Sequence, residues 1–123
     1  MTARQQWAKA EREARDLSLE LRFMAQIKAA GLERGCWRQY RAVPDRGYAW
    51  DFAWPDERLL LEIQGGTWIQ GAHSRGTGIR RDCEKLCAAT LAGWRVMAID
   101  TTMVRDGTGL KLIETALKGD KNG

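Results

Sequence analysis

Apolar positions recur at two different periods along the chain, and the change from one period to the other divides it into elements. Leu17, Leu21, Met24 and Ile27 fall three or four apart within residues 1–30, a stretch that contains neither Gly nor Pro. This spacing predicts a helix with one face on a core, and Gly31 is the residue that would end it. The turns before Leu17 are rich in charge and carry Trp7. Residues 1–16 therefore read as a helical arm that extends past the domain or packs on a second copy.

From Cys36 the period shortens. Residues 36–43 alternate loosely and stop at Pro44, and Pro44-Asp45-Arg46-Gly47 has the composition of a turn. Residues 48–54 alternate strictly, with Trp50, Phe52 and Trp54 on one face and Ala49, Asp51 and Ala53 on the other. After a turn at Pro55-Asp56-Glu57, residues 58–64 form an apolar run that predicts a central strand buried on both faces. Thr77 is placed to cap a helix running to about Ala92, with Gly93 as its stop. In that helix Cys83, Leu86, Cys87, Thr90 and Leu91 trace one stripe, read as core-facing. Residues 94–99 predict a fourth strand, and Leu110, Ile113 and Leu117 a short last helix after a turn at Asp106-Gly107. The polar residues 119–123 read as a disordered tail.

The order αβββαβα then limits the topology. Short turns make the first three strands antiparallel neighbours, and the helical crossover returns the fourth strand parallel to one of them. The prediction is a single α/β domain over 17–118, with a mixed four-stranded sheet and flanking helices.

Composition excludes more than it selects. A chain of 123 residues with 44% apolar and 29% charged positions is an ordinary globular domain. No apolar run approaches the roughly 20 residues that span a bilayer, and the first residues lack the apolar core of a secretory signal. A cytoplasmic protein is expected. Net charge is +4, and basic residues cluster at Arg34, Arg38 and Arg41 and again at Arg75, Arg80 and Arg81. That clustering suits an anionic partner. The cysteines number three, which argues against a disulfide framework. Cys83 and Cys87, with His73 nearby, have a spacing that zinc could use, but the core stripe is the reading adopted.

Glu62 interrupts the most apolar strand. A carboxylate there is costly unless it is paired or bound to a metal. Glu62 and Gln64 point from one face, and the turn at 55–57 can bring Asp51 beside Glu62. Adjacent carboxylates repel, and one takes up a proton unless a cation lies between them. A hard divalent ion such as Mg²⁺ suits such oxygens. The competing reading pairs Glu62 with Arg58 or Arg95. A Gly-rich, basic segment directly after the strand favours the metal.

Asp51 followed by Glu62-Ile63-Gln64 resembles the signature of the PD-(D/E)XK nuclease superfamily, with Gln64 where Lys is usual. Trp37-Arg38-Gln39-Tyr40 before it, and Gly65-Gly66, Asp82, Lys85 and Gly93-Trp94-Arg95-Val96 after it, are similar to the very-short-patch-repair-like branch, including small phage-encoded endonucleases. The likeness spans about residues 18–104. It implies a restriction-endonuclease-like fold and a Mg²⁺-dependent DNA endonuclease (Mn²⁺ substituting) that leaves a 5′-phosphate. Asp51 and Glu62 would bind metal through side chains and Ile63 through its main-chain carbonyl. Glu20 matches the helical acidic residue that often completes the site. A neutral Gln64 cannot supply the positive charge of the usual Lys, and Lys85 is the candidate replacement. Glu20 and Lys85 read equally well as solvated helix residues. The expected substrate is branched or mismatched DNA, or duplex during phage DNA processing, and a homodimer is left open. A non-catalytic nucleic-acid-binding module with the same fold is the alternative that Gln64 keeps alive.

The connection 65–78 holds Gly65, Gly66, Gly71, Gly76 and Gly78 around Trp68, His73 and Arg75. Its length predicts either a functional loop or a flexible linker. Free N–H groups at the start of the next helix would donate to a phosphate. Arg80 and Arg81 in its first turn oppose the helix dipole unless an anion is bound. Trp68 could stack on a base, and His73 could contact phosphate or move a proton.

Overall fold

Leu59, Leu60 and Leu61 have no exposed surface, and the strand they open, β3 (Leu59–Gln64), is interior to the sheet. The computed structural model describes the backbone of residues 1–13, 18–64 and 75–122. With β1 (Trp37–Tyr40), β2 (Trp50–Trp54) and β4 (Arg95–Asp100), β3 forms a four-stranded sheet in the order β1-β2-β3-β4. The first two pairings are antiparallel and the third is parallel, as the short turns and the helical crossover require. Pro55–Glu57 is a single 3-10 turn that ends on Arg58 in the left-handed region, φ 53°. It sets Trp54 opposite Leu59 and Phe52 opposite Leu61.

Helices cover both faces. α1 (Ala3–Glu13), α2 (Ser18–Ala29), α4 (Thr101–Asp106) and α5 (Thr108–Asn122) share one face. There Trp7, Phe23, Ile27, Val104 and Ile113 pack with Phe52, Trp54, Leu59 and Leu61. α3 (Arg75–Leu91) lies on the other face, over Ala53 and Leu60. α2 ends as expected: Gly31 has φ 73°, and the Leu32 amide reaches back to the Ile27 carbonyl at 3.0 Å.

The structure corrects several expectations. α1 is not an arm. Trp7 is 4% exposed within the main core, and the Gln6 side chain exchanges two hydrogen bonds with the main chain of Arg38 at 2.8 and 2.9 Å. A helix thus covers the open edge of β1, where unpaired strand groups would otherwise invite association. Trp7→Ala should destabilise the fold by about 3–5 kcal/mol, a cost typical of emptying a large buried aromatic site. Chemical denaturation would read it, and a change under 1 kcal/mol would restore the arm.

The stripe on α3 faces outward. Cys83, Cys87 and Thr90 are exposed, and Leu86 and Leu91 are 48% and 88% exposed. The face on the sheet is instead Lys85, Ala88 and Ala89. Small residues let a helix approach the sheet closely, and Trp50 and Trp94 fill the space beside Ala89. Helix α3 also begins at Arg75, so Thr77 lies inside its first turn and Arg80 and Arg81 follow that turn.

Two further differences concern the C-terminal third. Asp100 accepts the Met103 amide at 2.9 Å and so starts a separate helix, α4, which ends at Gly107 with φ 84°. α5 is longer than expected, and its backbone stays helical to Asn122, within the segment read as a tail. Among the described residues no helix is long and apolar enough to cross a membrane.

Candidate active site

The β2–β3 register brings residues 51 and 62 opposite each other, one step beyond the Phe52–Leu61 pair. At this point the strands part. Asp51 Oδ2 accepts the Ile63 amide at 2.8 Å, so a side chain replaces the next main-chain partner of β3. Across from Asp51 in β1, Gln39 has a left-handed backbone, φ 49°, and Trp50 leaves the face of Phe52 and Trp54. Its ring joins Ala53, Leu60, Ala89 and Trp94 beneath α3, a correction to the strict alternation expected for this strand.

Lys85 of α3 enters the space so formed. Its Nζ donates to Glu62 Oε2 at 2.5 Å and to the Ala49 carbonyl at 2.8 Å, and lies 4.3 Å from the centre of the Trp50 ring. The ion pair is largely enclosed, with the two side chains 13% and 23% exposed. Burial holds the Glu62 carboxyl above its usual range; Lys85 opposes that shift, and the neighbouring Asp51 charge and hydrogen bond add to it. Asp51 and Glu62 therefore share one electrostatic environment, as their strand positions predict.

The pairing of Glu62 with Arg58 or Arg95 is not what forms. Arg58 donates to the Ala92 carbonyl and lies over Trp94, while Arg95 donates to the carbonyls of Ala116 and Glu57. Gln64 is exposed at the end of β3, opposite Asp100. With Glu62, Lys85, Trp50 and Asp82 it lines a cleft of about 140 Å³.

Glu20 is held apart from this group. Its Oε2 accepts from Arg38 Nη2 at 2.5 Å. Arg38 is 5% exposed, stacked over Phe52 at 4.8 Å, and its Nε donates to the Asp51 carbonyl at 3.1 Å. Glu20 is thus linked to Asp51 through Arg38 and a main-chain oxygen. The buried guanidinium also removes Arg38 from the basic surface expected with Arg34 and Arg41. A signal for it was present, because Arg38 shares its strand parity with buried Cys36.

The described residues contain no group of three or more His, Cys, Asp and Glu side chains able to hold a metal. Cys83 and Cys87 are free and exposed, and Cys36 is free and buried, with its thiol pushed far up by burial. Arg80 is exposed and pairs with Glu84 at 2.9 Å, one turn on; Arg81 is exposed. Arg75 opens α3. Trp68 and His73, with their expected DNA contacts, lie outside the described residues. Sequence reasoning missed Trp50 and Ala49 as partners of Lys85; a tryptophan in an alternating strand carries no mark of a cation contact.

No family model, curated protein or solved structure matches this chain.

Proposed function

We propose that this chain is a metal-dependent DNA endonuclease with a restriction-endonuclease-like arrangement. The observation that supports it most is the meeting of Asp51, Glu62 and Lys85 on one face at the open end of β2 and β3. The donor set suits a hard divalent ion: the Asp51 charge acts on Glu62, Glu62 lines the cleft, and oxygen ligands match Mg²⁺ or Mn²⁺. Asp51 and Glu62 would hold the ion, with the Ile63 carbonyl as a further oxygen. Once bound, such an ion supplies charge for the scissile phosphate and lowers the pKa of an attacking water.

The chain's own groups divide the remaining work. Lys85 places a fixed positive charge where negative charge grows on the phosphate, the kind of preorganised stabilisation most useful in an enclosed site. The Gln64 amide, on the same face as Glu62, can orient water but adds no charge. Branched, mismatched or phage-processing DNA intermediates remain the proposed substrates. Nicking of supercoiled plasmid with and without Mg²⁺ tests the reading. Mg²⁺-dependent relaxed product is expected; salt-sensitive binding without any product would favour a non-catalytic DNA-binding module.

Binding should weaken as salt rises, because phosphate contacts release counter-ions. Arg81→Ala should lower the salt slope by about one unit. Arg80→Ala should change it less, because Glu84 already neutralises Arg80. Anisotropy titrations over a salt series would check this, and an unchanged slope for Arg81→Ala would move the DNA surface away from α3.

A further inference from the structure

Three electron-rich groups surround the Lys85 ammonium: the Glu62 carboxylate, the Ala49 carbonyl and the face of Trp50. Its charge is satisfied almost wholly inside the protein, at the carboxylate a divalent ion would need. One Glu62 oxygen, Oε2, already carries the lysine. Two cations on one carboxylate repel, so an incoming ion must weaken the contact between Lys85 and Glu62.

We propose that Lys85 is the resident counter-ion of the acidic pair, that a divalent cation binds in competition with its ammonium, and that the Ala49 carbonyl and Trp50 ring keep the displaced ammonium in the cleft. The proposal rests on the reading of Asp51 and Glu62 as metal ligands, but not on DNA cleavage. A carbonyl and a ring hold an ammonium without neutralising it. Lys85 would then pass from a closed ion pair to a charge available to an anion, without leaving its place. Trp50 is the positioning residue in this scheme, with its ring centre 4.3 Å from the ammonium.

Mn²⁺ binding to the DNA-free protein tests the competition, measured by electron paramagnetic resonance at a pH well above the carboxylate range. Lys85→Met keeps the apolar stem and removes the charge, and should bind Mn²⁺ about tenfold more tightly, equivalent to about 1.4 kcal/mol. Lys85→Arg should show no such gain. Circular dichroism confirms the fold, and Lys85→Gln replaces Lys85→Met if the latter fails to fold. Unchanged, weaker or absent binding in the charge-removed variant overturns the proposal. So does a gain that persists when Glu62→Gln is added, because the ion would then sit elsewhere. For the second seat, the Lys85 ε-methylene signal should remain shifted upfield by the Trp50 ring when Mg²⁺ saturates the protein. Its return to the position of a solvated lysine overturns that part. If competition is seen and wild-type protein cleaves no DNA, only the endonuclease reading fails.

Discussion

Asp51→Asn and Glu62→Gln are each expected to lower Mg²⁺-dependent plasmid cleavage by about a thousandfold or more, equivalent to about 4 kcal/mol of transition-state stabilisation. Each variant removes one of two carboxylates that would hold the ion, and DNA binding should change little. The variants should part company in stability. Asp51→Asn keeps an oxygen for the Ile63 amide, relieves the repulsion that adds to the burial-driven rise of the Glu62 pKa, and leaves the Lys85 ion pair intact. It should melt no lower than wild type in the absence of metal. Glu62→Gln strips an enclosed ammonium of its counter-charge, and breaking such a pair from one side is destabilising; it should melt lower. Cleavage assays and metal-free thermal melts check both halves. Near-normal cleavage by both variants would remove the acidic pair from the mechanism.

Lys85→Ala should lower turnover about a hundredfold at saturating metal while leaving DNA affinity close to wild type. Loss of one preorganised charge at a developing oxyanion has an effect of about that size, and an interaction used mainly in the transition state shows in turnover rather than binding. Gln64→Lys should then restore part of the rate, because Gln64 and Lys85 line the same cleft and the new charge would arrive from β3. Single-turnover rates of the two single variants and the double variant decide this. Wild-type turnover in Lys85→Ala would reduce the residue to a structural partner of Glu62.

The acidic pair was legible before any coordinates because the Pro55–Glu57 turn is too short to permit many registers. A slip of one residue would put Asp51 and Glu62 on opposite faces, and the observed pairing of Trp54 with Leu59 keeps them together. The burial of β3 was equally legible, since Leu59-Leu60-Leu61 gives a polar residue to neither face. The seating of α3 was not. Its apolar stripe through Leu86 and Leu91 and its small-residue stripe through Ala88 and Ala89 are both helical in period, and periodicity does not say which one meets a sheet. The pairing of Glu20 was not legible, for a similar reason. Its position one turn before Phe23 and Met24 correctly implies an inward side chain, but its partner Arg38 comes from a strand that is distant in sequence. Trp50 departs from its alternation where the pairing of β2 with β3 stops, opposite a left-handed Gln39 in β1, and periodicity carries no sign of either.

The two ends of the chain close the same face, and this bears on when the protein can acquire its shape during synthesis. Neighbouring strands β1, β2 and β3 follow one another in sequence, so a nascent chain can form these hairpins from local contacts, which close fastest. The face they present to Trp7 and Phe23 stays unfinished until Val104 and Ile113 have emerged. The Gln26 side chain then reaches the Val104 carbonyl at 2.9 Å across 78 positions of sequence. Synthesis must therefore pass Ile113 before the apolar side of the sheet can be sealed. Until then the hairpins expose Leu59 and Leu61, and the interval favours capture by chaperones over premature folding.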